Sequence, residues 1–99
     1  MLLLLVLITY DVNTQDAAGV RRLNKIAKLC VKYGQRVQNS VFECLLESQD
    51  YRLLQHELLK IADLEKDSLR FYNLGKHYST KIEHFGVKET YDPQESLII

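Results

Sequence analysis

The stretch Met1-Leu2-Leu3-Leu4-Leu5-Val6-Leu7-Ile8-Thr9-Tyr10-Asp11 is apolar almost throughout and stops at a carboxylate. A β-strand buried on both faces has this composition, and the polar residues 13–16 end it as a turn, so we predict a first strand over residues 2–10. The run is far shorter than the roughly 20 residues that span a bilayer. It also lacks the basic segment and the small-residue cleavage site of a signal peptide, so a cytoplasmic protein without a membrane anchor is expected.

Length and composition indicate one small globular domain. The chain has 99 residues, 46% hydrophobic and 26% charged, which is enough for a modest core and excludes a separate catalytic domain. Cys30 and Cys44 lack the paired spacing of a zinc site or redox dithiol and are interpreted as small buried hydrophobes. The histidines lie on different predicted elements, which argues against a histidine metal cluster: His56, His77 and His84.

The next segment is predicted to be an amphipathic helix that starts between Ala17 and Val20, ends at Tyr33 and is capped by a left-handed Gly34. Its apolar side contains Val20, Leu23, Ile26, Ala27 and Cys30, and its basic side contains Arg21, Lys25, Lys28 and Lys32. With Arg22 and Arg36, residues 17–42 hold six basic residues and no acidic one, although the formal net charge of the chain is zero. We therefore predict sequence-independent phosphate contacts on this helix rather than a merely solvated face.

The remaining elements complete a known arrangement. Residues 35–47 are rich in β-branched and aromatic side chains and form a predicted hairpin with its turn at Asn39-Ser40. A second helix follows Ser48, and residues 67–74 and 81–85 alternate as strands. The order βαββαβ with an additional C-terminal strand predicts an α+β, ferredoxin-like domain over residues 1–86, with both helices on one sheet face.

The other sheet face is left uncovered by this arrangement. We expect it to pack against a second copy, giving a sheet-to-sheet homodimer. The tail, residues 87–99, ends in Leu97-Ile98-Ile99, an apolar triplet that would pair along the sheet edge of the partner. A loosely docked or frayed terminus is the alternative.

Asp11 is the candidate metal ligand, because it stands at the carboxyl end of a strand and just before the basic helix. A single aspartate at this place is also a common turn or capping residue. If two copies of Asp11 meet across a two-fold axis, their hard oxygen ligands suit Mg²⁺ or Mn²⁺ beside a phosphate. Tyr10 is either a core residue or a phosphate donor, and Phe42 is either a core or an interface residue.

The motif Arg36-x-Gln38-x-Ser40-Val41-Phe42-Glu43, together with Tyr10-Asp11-Val12, resembles the small CRISPR-associated Cas2 family. The likeness extends over the whole chain, and the endings Glu83-His84-Phe85-Gly86 and Leu97-Ile98-Ile99 resemble the branch that accompanies subtype I-C systems. It implies a ferredoxin-like homodimer whose C-terminal strand adds to the sheet of the partner.

The same resemblance implies roles for individual residues. Asp11 matches the metal-binding catalytic aspartate, and its surroundings in the family correspond to Tyr10, Arg36, Ser40 and Phe42. Phosphate contacts are implied for Arg21, Arg22 and Lys25. Some family members cut single-stranded RNA or double-stranded DNA with magnesium, and the dimer bridges two dimers of the Cas1 integrase during spacer acquisition.

Three functions follow from this sequence. The first is a magnesium-dependent endonuclease, and the second is a non-catalytic dimeric scaffold that binds duplex DNA and bridges Cas1 dimers. The third is a toxin-type ribonuclease on the same fold, which the motif at residues 36–43 disfavours.

Overall fold

A computed structural model of the chain describes residues 2–86. Its elements, in chain order, are β1 (Leu4–Asp11), α1 (Ala17–Tyr33), β2 (Gln35–Gln38), β3 (Val41–Leu46), α2 (Ser48–Ile61) and β4 (Ser68–Asn73). The strands form one antiparallel sheet in the order β2-β3-β1-β4, with a register shift between Arg36 and Gln38. This is the predicted α+β, ferredoxin-like fold, and the hairpin of β2 and β3 is confirmed.

Both helices pack on the same face of the sheet, which we call the covered face. The core there joins alternate residues of β1 and β3 to both helices: Val6, Ile8, Tyr10, Phe42, Cys44, Leu46, Ile26, Cys30, Leu54 and Leu58. Both cysteines are buried and free, as predicted, and burial raises the pKa of each thiol to about 12. They are therefore inert core residues at neutral pH.

Within residues 2–86, the opposite face of the sheet carries no helix, and we call it the open face. β1 is apolar on both sides because part of this face is buried as well. Because side chains alternate along a strand, Leu5, Leu7, Thr9 and Asp11 share this face. Leu5 is fully buried, Leu7 and Thr9 are half-buried, and Asp11 is exposed. The second face of β1 therefore changes from apolar to polar towards its carboxyl end.

Gly34 differs from its predicted role as a left-handed cap. Its backbone is extended, with φ −157° and ψ −167°, and its N–H closes the helix by donating to the Cys30 carbonyl at 2.9 Å. A Cβ at this position would overlap Cys44 Sγ and lie 2.5 Å from the Glu43 carbonyl oxygen. The glycine is thus needed for the close approach of the chain to β3.

Gly34→Ala is expected to lower the free energy of unfolding by about 1–3 kcal/mol, because the added methyl group is forced against backbone. Urea unfolding monitored by circular dichroism measures this change. Gln35→Ala, at an exposed neighbouring position, is the control and is expected to change stability by less than about 0.5 kcal/mol. Equal stability of the two variants would contradict the close approach.

The observed start of α1 at Ala17 lies within the predicted range, and only the exposure of Val20 differs from the prediction. Asp16 caps the helix by accepting a hydrogen bond from the Gly19 N–H at 2.8 Å, and a Cβ on Gly19 would overlap the Asn13 carbonyl oxygen. Val20, predicted on the apolar side, is 43% exposed. It lies about 80° around the helix from the buried Cys30, outside the arc that meets the sheet.

The strand predicted at residues 81–85 is wrong for this single chain. A strand requires backbone pairing with a neighbouring edge, whereas Lys81 donates its N–H to the Tyr78 carbonyl and its Nζ to the Leu74 carbonyl. The predicted tail, residues 87–99, lies outside the described residues. Within residues 2–86, no helix has both the length and the apolarity required to cross a membrane.

Candidate metal site and nucleic-acid interface

Asp11 is the last residue of β1 and lies opposite Ser68 in the antiparallel register with β4. Its side chain is exposed on the open face. A cleft of about 470 Å³ adjoins it, between the loop that follows β1 and the loop that precedes β4, and its lining is polar: Asp11, Asn13, Thr14, Gln15, Glu65, Lys66, Asp67 and Ser68. Asp11 is therefore available to a metal ion.

The other predicted catalytic residues lie on the covered side of the sheet. The rings of Tyr10 and Phe42 stack with their centroids 6.1 Å apart, and the Arg36 guanidinium lies 5.0 Å over the Phe42 ring. Ser40 joins them because its carbonyl accepts from the Tyr10 N–H at 3.1 Å. Asp11 follows Tyr10 in an alternating strand and so points to the opposite face.

Tyr10 and Phe42 are core residues in the single chain. Phe42 has no exposed surface, and Tyr10 is 6% exposed with its hydroxyl 3.5 Å from the Asn39 carbonyl. Burial is the main cause that raises the pKa of the Tyr10 hydroxyl, with Cys30 adding to it. These two side chains support the end of the hairpin and the end of β1, and they do not line the cleft beside Asp11.

The basic side of α1 forms an exposed stripe. Arg21, Lys25, Lys28 and Lys32 are all exposed. At 3.6 residues per turn these four positions lie within about 60° of one another, so their charges project from one side of the helix. We refer to them as the basic stripe. It is a surface that phosphates can reach without any rearrangement of the core.

Arg22 does not belong to the basic stripe. Its Nε donates to Asp67 Oδ2 at 2.8 Å and its Nη2 to Asp67 Oδ1 at 3.2 Å, and its side chain is only 15% exposed. The sequence predicted a phosphate contact at this position. In the structure the guanidinium faces a buried carboxylate of the same chain.

Asp67 is the residue that sequence reasoning missed. Its fully buried carboxylate accepts two further hydrogen bonds, from the N–H of Asn13 at 3.1 Å and from the N–H of Asp63 at 2.9 Å. The pattern of residues 67–74 identified it only as the first residue of a strand. No local signal reveals its role, because Asn13 and Arg22 lie 54 and 45 residues away in the chain.

Acid is expected to destabilise the fold through Asp67, whose pKa falls from 3.8 to about 2, first because Arg22 donates to it. A depressed folded-state pKa stabilises the protein above the unfolded pKa, so this contribution is complete above about pH 4 and is lost as the pH falls towards 2. At pH 6, Asp67→Asn is expected to lose about 3 kcal/mol of stability relative to wild type. Urea unfolding at pH 6 and pH 2 measures whether the difference shrinks in acid, and a difference independent of pH would contradict the assignment.

A single copy offers few metal ligands at this place, although Asp11, Glu65 and Asp67 all line the cleft. Within residues 2–86, no three histidine, cysteine, aspartate or glutamate side chains are grouped so as to hold a metal ion. The exposed Asp11 has the hard oxygen donors that Mg²⁺ and Mn²⁺ prefer, but further ligands have to come from outside this part of the chain. The oxygen ligands of Asp11 therefore suit these metal ions, but their number is too small without ligands from a second molecule.

A family model described as CRISPR associated protein Cas2 matches residues 4–82. The chain belongs to the Cas2 family. A CRISPR-associated endonuclease Cas2 from Halalkalibacterium halodurans is 55% identical over 95 residues, which cover 96% of this chain and 99% of that protein. A CRISPR-associated endoribonuclease Cas2 from Nitratidesulfovibrio vulgaris is 53% identical over 96 residues, which cover 97% of this chain and 94% of that protein.

Solved Cas2 structures have the same fold. The crystal structure of Streptococcus pyogenes Cas2 at pH 6.5 aligns with a TM-score of 0.71 and 52% identity, covering 83% of this chain and 99% of that one. A chain in a partial Cas6-RT-Cas1–Cas2 complex aligns with a TM-score of 0.60 and 35% identity, covering 83% and 89%. The resemblance drawn from the sequence motifs is thereby confirmed at the level of the Cas2 family, and the link to subtype I-C stays a prediction.

The predicted site residues of this Cas2 family member thus fall into three places. Asp11 lies on the open face beside the polar cleft. The cluster of Tyr10, Arg36, Ser40 and Phe42 lies at the turn of the hairpin, and the basic stripe lies on α1. The ion pair of Arg22 and Asp67 connects α1 to the surroundings of Asp11, because Asp67 directly precedes Ser68, the strand partner of Asp11. The sequence did not predict this pair.

Proposed function

We propose that this protein is a homodimeric CRISPR adaptation factor and a metal-dependent endonuclease that cuts phosphodiester bonds in double-stranded DNA or single-stranded RNA. The observation that carries the proposal is the exposed Asp11 at the carboxyl end of β1, on the open sheet face and beside a polar cleft. The names of its relatives, an endonuclease and an endoribonuclease, support the same activity.

The proposed dimer joins the open faces of two copies, so that two Asp11 carboxylates approach across a two-fold axis. The half-buried Leu7 of the open face is suited to burial against a partner, while the polar end of β1 keeps Asp11 at the site. Two Asp11 side chains, with phosphate and water, would hold Mg²⁺ or Mn²⁺. When bound, the metal neutralises charge on the phosphodiester and lowers the pKa of a water molecule.

The basic stripe is proposed to bring nucleic acid to this site. Four exposed cations on one side of α1 neutralise phosphates and release counter-ions, which makes affinity strongly dependent on salt. Contacts of this kind are insensitive to base sequence, because they read the backbone and not the base edges. Binding by the basic stripe therefore suits duplex DNA of any sequence.

A second function, a non-catalytic scaffold, is favoured by a specific observation. The fold aligns with a chain in a Cas1–Cas2-containing complex, and the basic stripe is present whether or not a metal is held. In this function the dimer binds duplex DNA and bridges dimers of the Cas1 integrase during spacer acquisition in the cytoplasm. Asp11 would then be dispensable.

Nuclease and integration assays run side by side on wild type and Asp11→Asn test the two functions. Loss of cutting with integration retained assigns Asp11 to hydrolysis and the remainder of the dimer to the scaffold. Full cutting by Asp11→Asn would exclude the proposed catalytic role of this residue.

A further inference from the structure

Asn13, two residues after Asp11, is held on several sides. Its N–H donates to Asp67 Oδ1 at 3.1 Å, and its carbonyl oxygen accepts from Arg22 Nη2 at 3.5 Å and packs against the backbone of Gly19. Its side-chain oxygen accepts from the Gln15 N–H at 3.0 Å. With this many partners, Asn13 is held more rigidly than an ordinary loop residue.

Asp67 connects this loop to the strand beside Asp11. Its side chain holds the Asn13 N–H, while the residue that follows it, Ser68, pairs with Asp11 in the sheet. The chain is therefore held at Asp11 by Ser68 and two residues later by Asp67. Together these contacts hold the backbone at and after Asp11, and so they determine how the Asp11 side chain projects from the open face.

Only a carboxylate satisfies all the donors that converge on this position. Oδ1 accepts from the Asn13 N–H and Arg22 Nη2, and Oδ2 accepts from Arg22 Nε and the Asp63 N–H. In an asparagine, either orientation of the amide turns its NH₂ group towards two of these donors. The side chain therefore has no neutral isostere that preserves the loop.

We propose that Asp67, with Arg22 as its counter-ion, is a positioning residue that sets the orientation of Asp11 for catalysis without touching the substrate. The proposal rests on the proposed nuclease function and deepens it. It also removes Arg22 from the nucleic-acid contacts, although Arg22 is adjacent in sequence to the exposed Arg21 of the basic stripe. Supporting residues of this kind typically change activity by about 10–100-fold when they are replaced.

The two adjacent arginines provide a matched comparison, since Arg22→Gln and Arg21→Gln remove the same charge from neighbouring positions. For Arg22→Gln, kcat is expected to fall about 10-fold with KM for a linear duplex unchanged. For Arg21→Gln, KM is expected to rise because the duplex is bound more weakly, and the slope of log affinity against log salt is expected to drop by about 1. If Arg22→Gln keeps its kcat and loses affinity as Arg21→Gln does, Arg22 is a phosphate contact and the proposal is overturned.

Amide hydrogen exchange supplies a second readout that does not depend on activity. In Asp67→Asn the exchange of the Asn13 amide is expected to accelerate by at least about 10-fold, because its acceptor is lost in the folded state. The exchange of Ile8, paired in the centre of the sheet, is expected to accelerate only as far as the lower free energy of unfolding measured in urea accounts for. Arg22→Gln leaves both backbone donors to Asp67 in place and is expected to give a smaller acceleration. If Asp67→Asn fails to fold, Arg22→Gln provides the measurement.

An unchanged Asn13 amide in the folded variants would overturn the positioning role. If the wild type cuts neither DNA nor RNA, the proposed function fails, and the exchange measurement still decides whether Asp67 holds the loop. The two failures are therefore distinguishable.

Discussion

Asp11→Asn is expected to reduce magnesium-dependent cleavage by about 100-fold or more, because one lost carboxylate in each copy removes both metal ligands of the proposed dimeric site. The affinity for duplex DNA is expected to stay the same, since the basic stripe lies on α1 and is untouched. Folding is also expected to be retained, because the Asp11 side chain is exposed. Single-turnover cleavage of a linear duplex and of an RNA measures the rate, and size-exclusion chromatography measures the dimer.

Asp16→Asn is the matched control for this experiment. It makes the same substitution with the same loss of charge five positions later, and asparagine is as good an N-cap as aspartate. Wild-type cleavage by Asp16→Asn together with loss in Asp11→Asn assigns the effect to the Asp11 position. Equal losses in the two variants would indicate a general electrostatic effect and would contradict the metal-ligand role.

Reversing three charges of the basic stripe, in the variant Arg21→Glu, Lys25→Glu and Lys28→Glu, is expected to weaken duplex binding by about 100-fold or more at moderate salt. Three phosphate contacts are lost, so the slope of log affinity against log salt is expected to fall by about 3. Both functions depend on this surface, so cleavage and Cas1-dependent integration are expected to decline together. Fluorescence anisotropy over a range of salt concentrations measures the binding.

The control for the basic stripe changes the same number of charges elsewhere. Arg52, Lys60 and Lys76 are exposed and lie outside α1, so their replacement by glutamate alters the net charge equally. This control is expected to retain most of the affinity and of the salt dependence. If both triple variants bind equally poorly, net charge and not the basic stripe determines affinity, and the proposed interface is wrong.

The success of sequence reasoning at β1 and at the hairpin has a common cause. The apolar run that ends at Asp11 and the turn at Asn39-Ser40 are local patterns, and neighbouring residues alone create them. The basic stripe was predicted for the same reason, since helical periodicity places its charges on one side whatever the helix packs against. The family motif at residues 36–43 likewise lies within one supersecondary unit.

The errors arose where a distant part of the chain decides the outcome. Gly34 has an extended backbone because Glu43 and Cys44 approach it, and residues 81–85 lack the neighbouring edge that would make them a strand. Periodicity also assigned Val20 to the apolar side without knowing how wide an arc of α1 meets the sheet. In each case the local sequence pattern was read correctly, and the error came from contacts with distant residues that the pattern does not contain.

The sequence by itself therefore determined the order of the elements, the position of Asp11 at the end of a strand, and the basic charge of α1. Only the tertiary structure distinguished Arg22 from Arg21. Arg22 lies on the side of α1 that faces the buried Asp67, whereas Arg21 lies on the exposed side. The tertiary structure also showed that Phe42 stacks on Tyr10, on the sheet face opposite to Asp11. Local patterns depend on neighbours in the chain, whereas a site depends on pairs such as Arg22 and Asp67, 45 residues apart, that meet only after the helices and strands have packed.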